Sequence, residues 1–138
     1  MSIEERLRSI LIADTAITNL VGQRIRPDEL AEGDTYPAIL ISIDDEDPLA
    51  MLSQVGGLQK ATINITALSQ LKTQARTIAK KVRACLDGFD DVVDGVEIEA
   101  TFEKRENGFD HDDDGEDTGV YFSNCVFEIW WDESTEGS

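Results

Sequence analysis

The sequence predicts an α+β fold, with an antiparallel or mixed sheet of four to five strands covered on one face by an N-terminal helix pair and one long helix. Two patterns carry this reading. Apolar residues recur at helical spacing in residues 3–21 and 71–86, and at alternate positions in residues 38–44, 58–68, 96–104 and 118–132. A composition of 41% hydrophobic and 30% charged residues is that of a globular chain, and 138 residues suffice to bury one core. We therefore expect one domain over residues 1–132 and a flexible tail over 133–138.

Ser2-Ile3-Glu4-Glu5 is a capping box, with Ser at the N-cap and Glu three residues on. Ile3, Leu7, Ile10 and Leu11 follow on one face, which predicts a helix from Ile3 to Ala13. Asp14-Thr15 supplies a second N-cap for a short helix with Ala16, Ile17, Leu20 and Val21, closed by Gly22. Arg24–Pro27 is a brief extended piece, and residues 28–37 form a polar loop. Ala38–Asp44 alternates and predicts a strand. Residues 44–57 form a long connection carrying Leu49, Met51 and Leu52. A second strand spans Leu58–Leu68, with Ala61, Ile63, Ile65 and Ala67 on one face.

The long helix is expected from Gln70 to Asp87, with Ser69 as cap and Gly88 as stop. Leu71, Ala75, Ile78, Ala79, Val82 and Leu86 form its buried stripe, with Cys85 at the edge of that stripe. Its other face holds Lys72, Arg76, Lys80, Lys81 and Arg83. Val96–Lys104 is a strand with one apolar and one acidic face, and residues 106–117 read as an acidic, turn-rich loop. Thr118–Asp132 is the last strand and is apolar on both faces, as in a strand buried on both sides or covered by a neighbouring subunit.

The net charge of −17 is unevenly spread. Residues 1–89 carry 12 acidic and 10 basic residues, whereas residues 90–138 carry 17 acidic residues and only Lys104 and Arg105. Such a half repels nucleic-acid phosphate. It suits solubility, a high-salt cytoplasm, or a passage through which DNA slides without sticking. The apolar runs are far shorter than the about 20 residues a membrane span needs, and the acidic N-terminus has no signal-peptide pattern, so a cytoplasmic protein without a membrane partner is expected.

No catalytic constellation emerges. His111 is the only histidine and sits among carboxylates, with no nucleophile or orienting acid assignable to it. Asp110-His111-Asp112-Asp113-Asp114-Gly115 matches the opening of a calcium loop, which makes Asp110, Asp112 and Asp114 a candidate cation site. The twelfth position, however, is Tyr121 rather than Glu, and the flanks read as strands, so a solvated hairpin loop without metal is the preferred reading. Cys85 and Cys125 lie among apolar neighbours and read as buried reduced thiols. No cofactor and no enzymatic activity are expected. Lys72, Arg76 and Lys80 form an i, i+4, i+8 basic stripe, either a solvated face or a surface for the acidic half of a neighbouring copy. Leu49, Met51 and Leu52 either reach a neighbour or pack on the chain's own core.

Several landmarks occur in a characteristic order: the opening helix, Ile17-Thr18-Asn19-Leu20-Val21-Gly22-Gln23-Arg24-Ile25, Tyr36-Pro37-Ala38-Ile39, Val82-Arg83-Ala84-Cys85-Leu86-Asp87-Gly88-Phe89 and Phe127-Glu128-Ile129-Trp130-Trp131. Over residues 1–131 the chain thereby resembles the tail terminator, or tail completion, family of long-tailed phages, the tail-to-head joining proteins with a lambda-terminator-like fold. The resemblance implies a structural virion protein assembled in the host cytoplasm, forming a hexameric ring at the head-proximal end of the tail. Its implied partners are the major tail tube protein and a head-connector or neck protein, and DNA passes through the ring without specific binding. The acidic loop and the strongly negative charge depart from the family pattern. Another connector or closure protein of the neck, or an acidic DNA-mimic inhibitor, are the alternatives.

Overall fold

A computed structural model describes residues 2–44, 58–111 and 117–132. The elements follow in the order α1 (Ile3–Ile12), α2 (Thr15–Val21), β1 (Ile25–Pro27), β2 (Ala38–Ile43), β3 (Leu58–Ser69), α3 (Lys72–Leu86), β4 (Asp90–Val93), β5 (Val96–His111) and β6 (Asp117–Asp132). The first two helices start as their side chains dictate. Ser2 Oγ accepts from the Glu5 amide at 3.1 Å, and Asp14 Oδ1 accepts from Ala16 at 2.9 Å. Gly22, at φ +59°, ends α2.

The strands form one six-stranded sheet in the order β1-β2-β3-β6-β5-β4. The mixed α+β class stands, but four to five strands become six and the sheet is not wholly antiparallel. β1 runs parallel to β2, with Ile25 opposite Ile39. All other pairs are antiparallel. The added strand, β4, is joined to β5 by Asp94-Gly95, whose φ angles of 49° and 81° are those of a two-residue hairpin turn.

The expected acidic loop over residues 106–117 is also corrected. β5 continues to His111 and β6 begins at Asp117. Cross-strand contacts explain the extension. Phe109 meets Tyr121 edge-on at 4.5 Å, and Ser123 donates to Asn107 at 2.5 Å. Phe122 lies over Gly108, where a Cβ would stand 2.5 Å from the ring; only glycine permits that approach.

The core lies between the helices and one sheet face. Ile39, Ile41, Ile63, Ile65, Phe127, Ile129, Ile98 and Ala100 alternate inward from four strands and meet Leu7, Leu11, Ile17, Ile78, Val82 and Leu86 from the helices. Phe127 is at its centre, fully buried, with Phe102 edge-on at 5.7 Å. The opposite face carries Thr62, Asn64, Thr66, Asn124, Glu128 and Trp130, of which none is fully buried. Val120 and Val126 are buried there too, in keeping with the apolar character of both faces of the last strand. A register shift between Phe102 and Lys104 leaves Glu103 unpaired in the β5–β6 ladder.

The long helix differs from expectation at its start. Ser69 is not its cap. Its Oγ accepts from the Leu71 amide at 3.0 Å and bonds Gln74, which turns the chain before the helix begins. Leu71 is the N-cap residue, with extended backbone and no side-chain cap bond. Its side chain therefore leaves the expected buried stripe and is 62% exposed.

Candidate assembly surfaces

The basic stripe falls where the sequence puts it, on the exposed side of α3. Ala75, Ile78, Ala79, Val82 and Leu86 hold the helix to the sheet, so Lys72, Arg76 and Lys80 face outward by helical geometry. The structure divides the stripe. Lys72 and Arg76 border a cleft of about 220 Å³ with Asn107, Phe109 and Tyr121 of the β5–β6 hairpin. Lys80 instead borders a hollow with Arg83, Asp87 and Arg105. Arg83 stacks over the Phe102 ring at 4.0 Å, so a half-open aromatic underlies this basic cluster.

Arg105 reaches this side because of the β5 irregularity. Before it, Glu97, Glu99 and Thr101 pair on the open face; after it, Arg105 pairs with Cys125, whose partners belong to the helix-covered face. Strand alternation alone puts Arg105 on the other side, and so the sequence concealed it.

A second surface lies at the other end of α3. The β4–β5 ribbon exposes Asp90, Asp91, Asp94, Glu97 and Glu99. Between this ribbon and the α1–α2 junction runs an open groove of about 740 Å³, lined by Ile10, Ala13, Asp14, Cys85, Phe89 and Val93 among others. Val92, on its border, is 54% exposed. This strand was missed in the sequence because it has only four residues, although Asp94-Gly95 between valines was a readable hairpin signal.

Some outward backbone groups of the short end strands β1 and β4 bond to the chain's own atoms. At β1, the Ile39 amide donates inward to Arg24 O. The Ile25 amide donates to Gln23 O at 2.8 Å, and Ile25 O accepts from Arg8 Nε at 2.5 Å. Arg8 also donates to Gln23 O at 3.0 Å. At β4, the Val92 amide donates to Asp91 Oδ1 at 2.7 Å rather than to a strand.

The remaining expected sites resolve as follows. Leu49, Met51, Leu52, Asp112 and Asp114 lie outside the described residues; Asp110 belongs to β5. Among the described residues no group of three or more His, Cys, Asp or Glu side chains could hold a metal ion, and no helix is long and apolar enough to cross a membrane. Both cysteines are free thiols. Cys125 is buried, with Sγ 3.4 Å from Ala79 O, and Cys85 is half-buried. Burial pushes the Cys85 thiol up to about 12, with Asp14 adding to the shift, and the Cys125 thiol up to about 11. Neither is an activated nucleophile at neutral pH.

On the open sheet face, Lys60 pairs with Glu128 at 3.4 Å and lies 5.0 Å from the Trp130 ring centre, while Trp130 Nε1 donates to Glu128 at 2.9 Å. Partial burial and the neighbouring Glu128 carboxylate raise the Glu103 carboxyl above its usual range. These groups satisfy one another and leave no acid–base pair around a pocket.

The family model of tail completion protein gp17 matches residues 5–130. The chain belongs to that family. It is a structural protein of a virion tail, as the ordered landmarks in the sequence led us to expect. A chain in the solved virion of a native gene transfer agent particle has the same fold, with a TM-score of 0.70 at 17% identity over 95% of both chains. No curated protein matches the sequence.

Proposed function

We propose that this tail completion protein forms a ring of like subunits, six by the family resemblance, that terminates the tail tube and joins it to the head. The match of the tail completion family over residues 5–130 supports this reading. A tube end offers strand edges and apolar patches to the next layer, and a terminating subunit must bind them without presenting the same surface again. Beside its strand edges the chain also offers side-chain surfaces for association. The basic α3 face and the acidic β4–β5 ribbon provide two such surfaces of opposite sign.

In this arrangement Lys72, Arg76 and Lys80 contact the neighbouring subunit. Leu49, Met51 and Leu52 reach the tube or connector. The acidic surplus of residues 90–138 keeps passing DNA from adhering. The ring sits at the head-proximal end of the tail after assembly in the host cytoplasm, and it needs no cofactor.

Electron microscopy of tail tubes assembled with and without the protein tests the reading. Tubes of uniform length with a ring at one end are the expected result. Tubes that keep growing in its presence, or binding to isolated head connector but never to tube, would assign the chain to another part of the neck.

A further inference from the structure

The two ends of α3 are complementary to each other. At its N-terminal end Leu71 stands 62% exposed, the most exposed large apolar side chain among the described residues, with the exposed cations Lys72 and Arg76 beside it. At its C-terminal end the groove of about 740 Å³ has an apolar floor of Ile10, Phe89 and Val93. Its rim carries the carboxylates Asp14, Asp91 and Asp94, and none of its described lining residues is basic. One end is an apolar knob flanked by positive charge. The other is an apolar hollow flanked by negative charge.

We infer that the Leu71 knob of one copy seats in the Phe89–Val93 groove of the next, with Lys72 and Arg76 meeting Asp91 and Asp94. The inference rests on the ring reading and supplies its contact. Knob and groove lie fourteen residues apart on one rigid helix, about 21 Å at 1.5 Å per residue, so a single copy cannot satisfy itself. Because the two surfaces differ, the contact is heterologous, and repetition of such a contact closes a ring when the rotation allows it. Charge complementarity also fixes polarity. A knob-to-knob contact would set Lys72 and Arg76 against their own copies, and a groove-to-groove contact would oppose six carboxylates. The chain's own second copy is thus the partner that both charge and shape select.

The experiment uses the full chain, with mass followed by light scattering and sedimentation across concentration and salt, and with rings counted on tail tubes. Leu71→Asp is expected to abolish rings. Arg76→Glu and Asp91→Arg should each raise the concentration for half-assembly at least tenfold, and the double variant should recover most of that loss. All these side chains are exposed, so circular dichroism should remain that of the wild type. As a second readout, Leu71→Cys combined with Val92→Cys should give a disulfide ladder ending at ring size. An equal mixture of the two single variants should stop at dimers.

Rings of unchanged mass in Leu71→Asp, or no recovery in the charge-swapped pair, would overturn the contact and leave the ring reading standing. A wild-type chain that remains monomeric and forms no ring on tubes would overturn the ring reading itself.

Discussion

The two faces of the β3–β6–β5 sheet come from alternate residues of the same strands, yet they are held by different physics. On the helix-covered face, Ile63, Ile65, Phe127 and Ile129 are completely removed from water, and the contacts are apolar and close-packed. On the open face, neighbouring residues are joined by polar links. Thr66 donates to Asn124, Asn124 donates to Asn64, and Lys60, Glu128 and Trp130 form a linked triplet. The first face holds the fold together. The second spends little on stability and leaves the outer surface solvated, so changes there should alter the fold's energy far less than equivalent changes one residue along.

The largest effect that can test this contrast is Phe127→Ala. Removing a fully buried ring that meets Phe102 edge-on should lower the unfolding free energy by about 3–5 kcal/mol, read as a shift in the urea midpoint with unchanged slope. A loss near 1 kcal/mol would mean that the helix-covered face is no more critical than the open one. Asn124→Ala is next. It removes two hydrogen bonds from a half-exposed ladder and should cost about 1 kcal/mol in the same assay. A cost equal to that of Phe127→Ala would erase the distinction between the faces.

The smallest expected effect concerns Glu103 and pH. Its carboxyl is raised in the folded state by burial and by Glu128, so the folded chain binds its proton more tightly than the unfolded chain does. Stability from this group is present below its ordinary value of 4.5 and is lost as the pH rises from there through the raised value. Glu103→Gln should remove that decline, seen as a difference between variant and wild-type melting temperatures that widens as the pH rises above 4.5. A difference that stays constant with pH would show that Glu103 and Glu128 do not sense one another.

Local pattern made much of this fold legible. Alternation correctly assigned Ile63 and Ile65 to the core, and Ser2 and Asp14 announced their helices. The outward cations of α3 were equally plain, since the buried stripe fixes the opposite face. What escaped depends on partners distant in sequence. The parallel β1–β2 pair is set by packing and not by residue type, and β4 is too short for periodicity to speak. Leu71 looked buried because it continues the apolar spacing of α3, but the Ser69 turn withholds it from the helix. The groove joins α1, α3 and β4, three elements whose proximity no local pattern encodes.

The extra residue in β5 bears on how this strand can vary among relatives. A one-residue deletion in a strand ordinarily inverts every side chain beyond it. Here Phe102 already opposes Phe127 and Lys104 already opposes Val126, so an in-frame loss of Glu103 would join two segments that are in phase. The codon at position 103 is therefore free to come and go with neither sheet face reversed, and chain length in this strand can drift by one residue while the core stays the same.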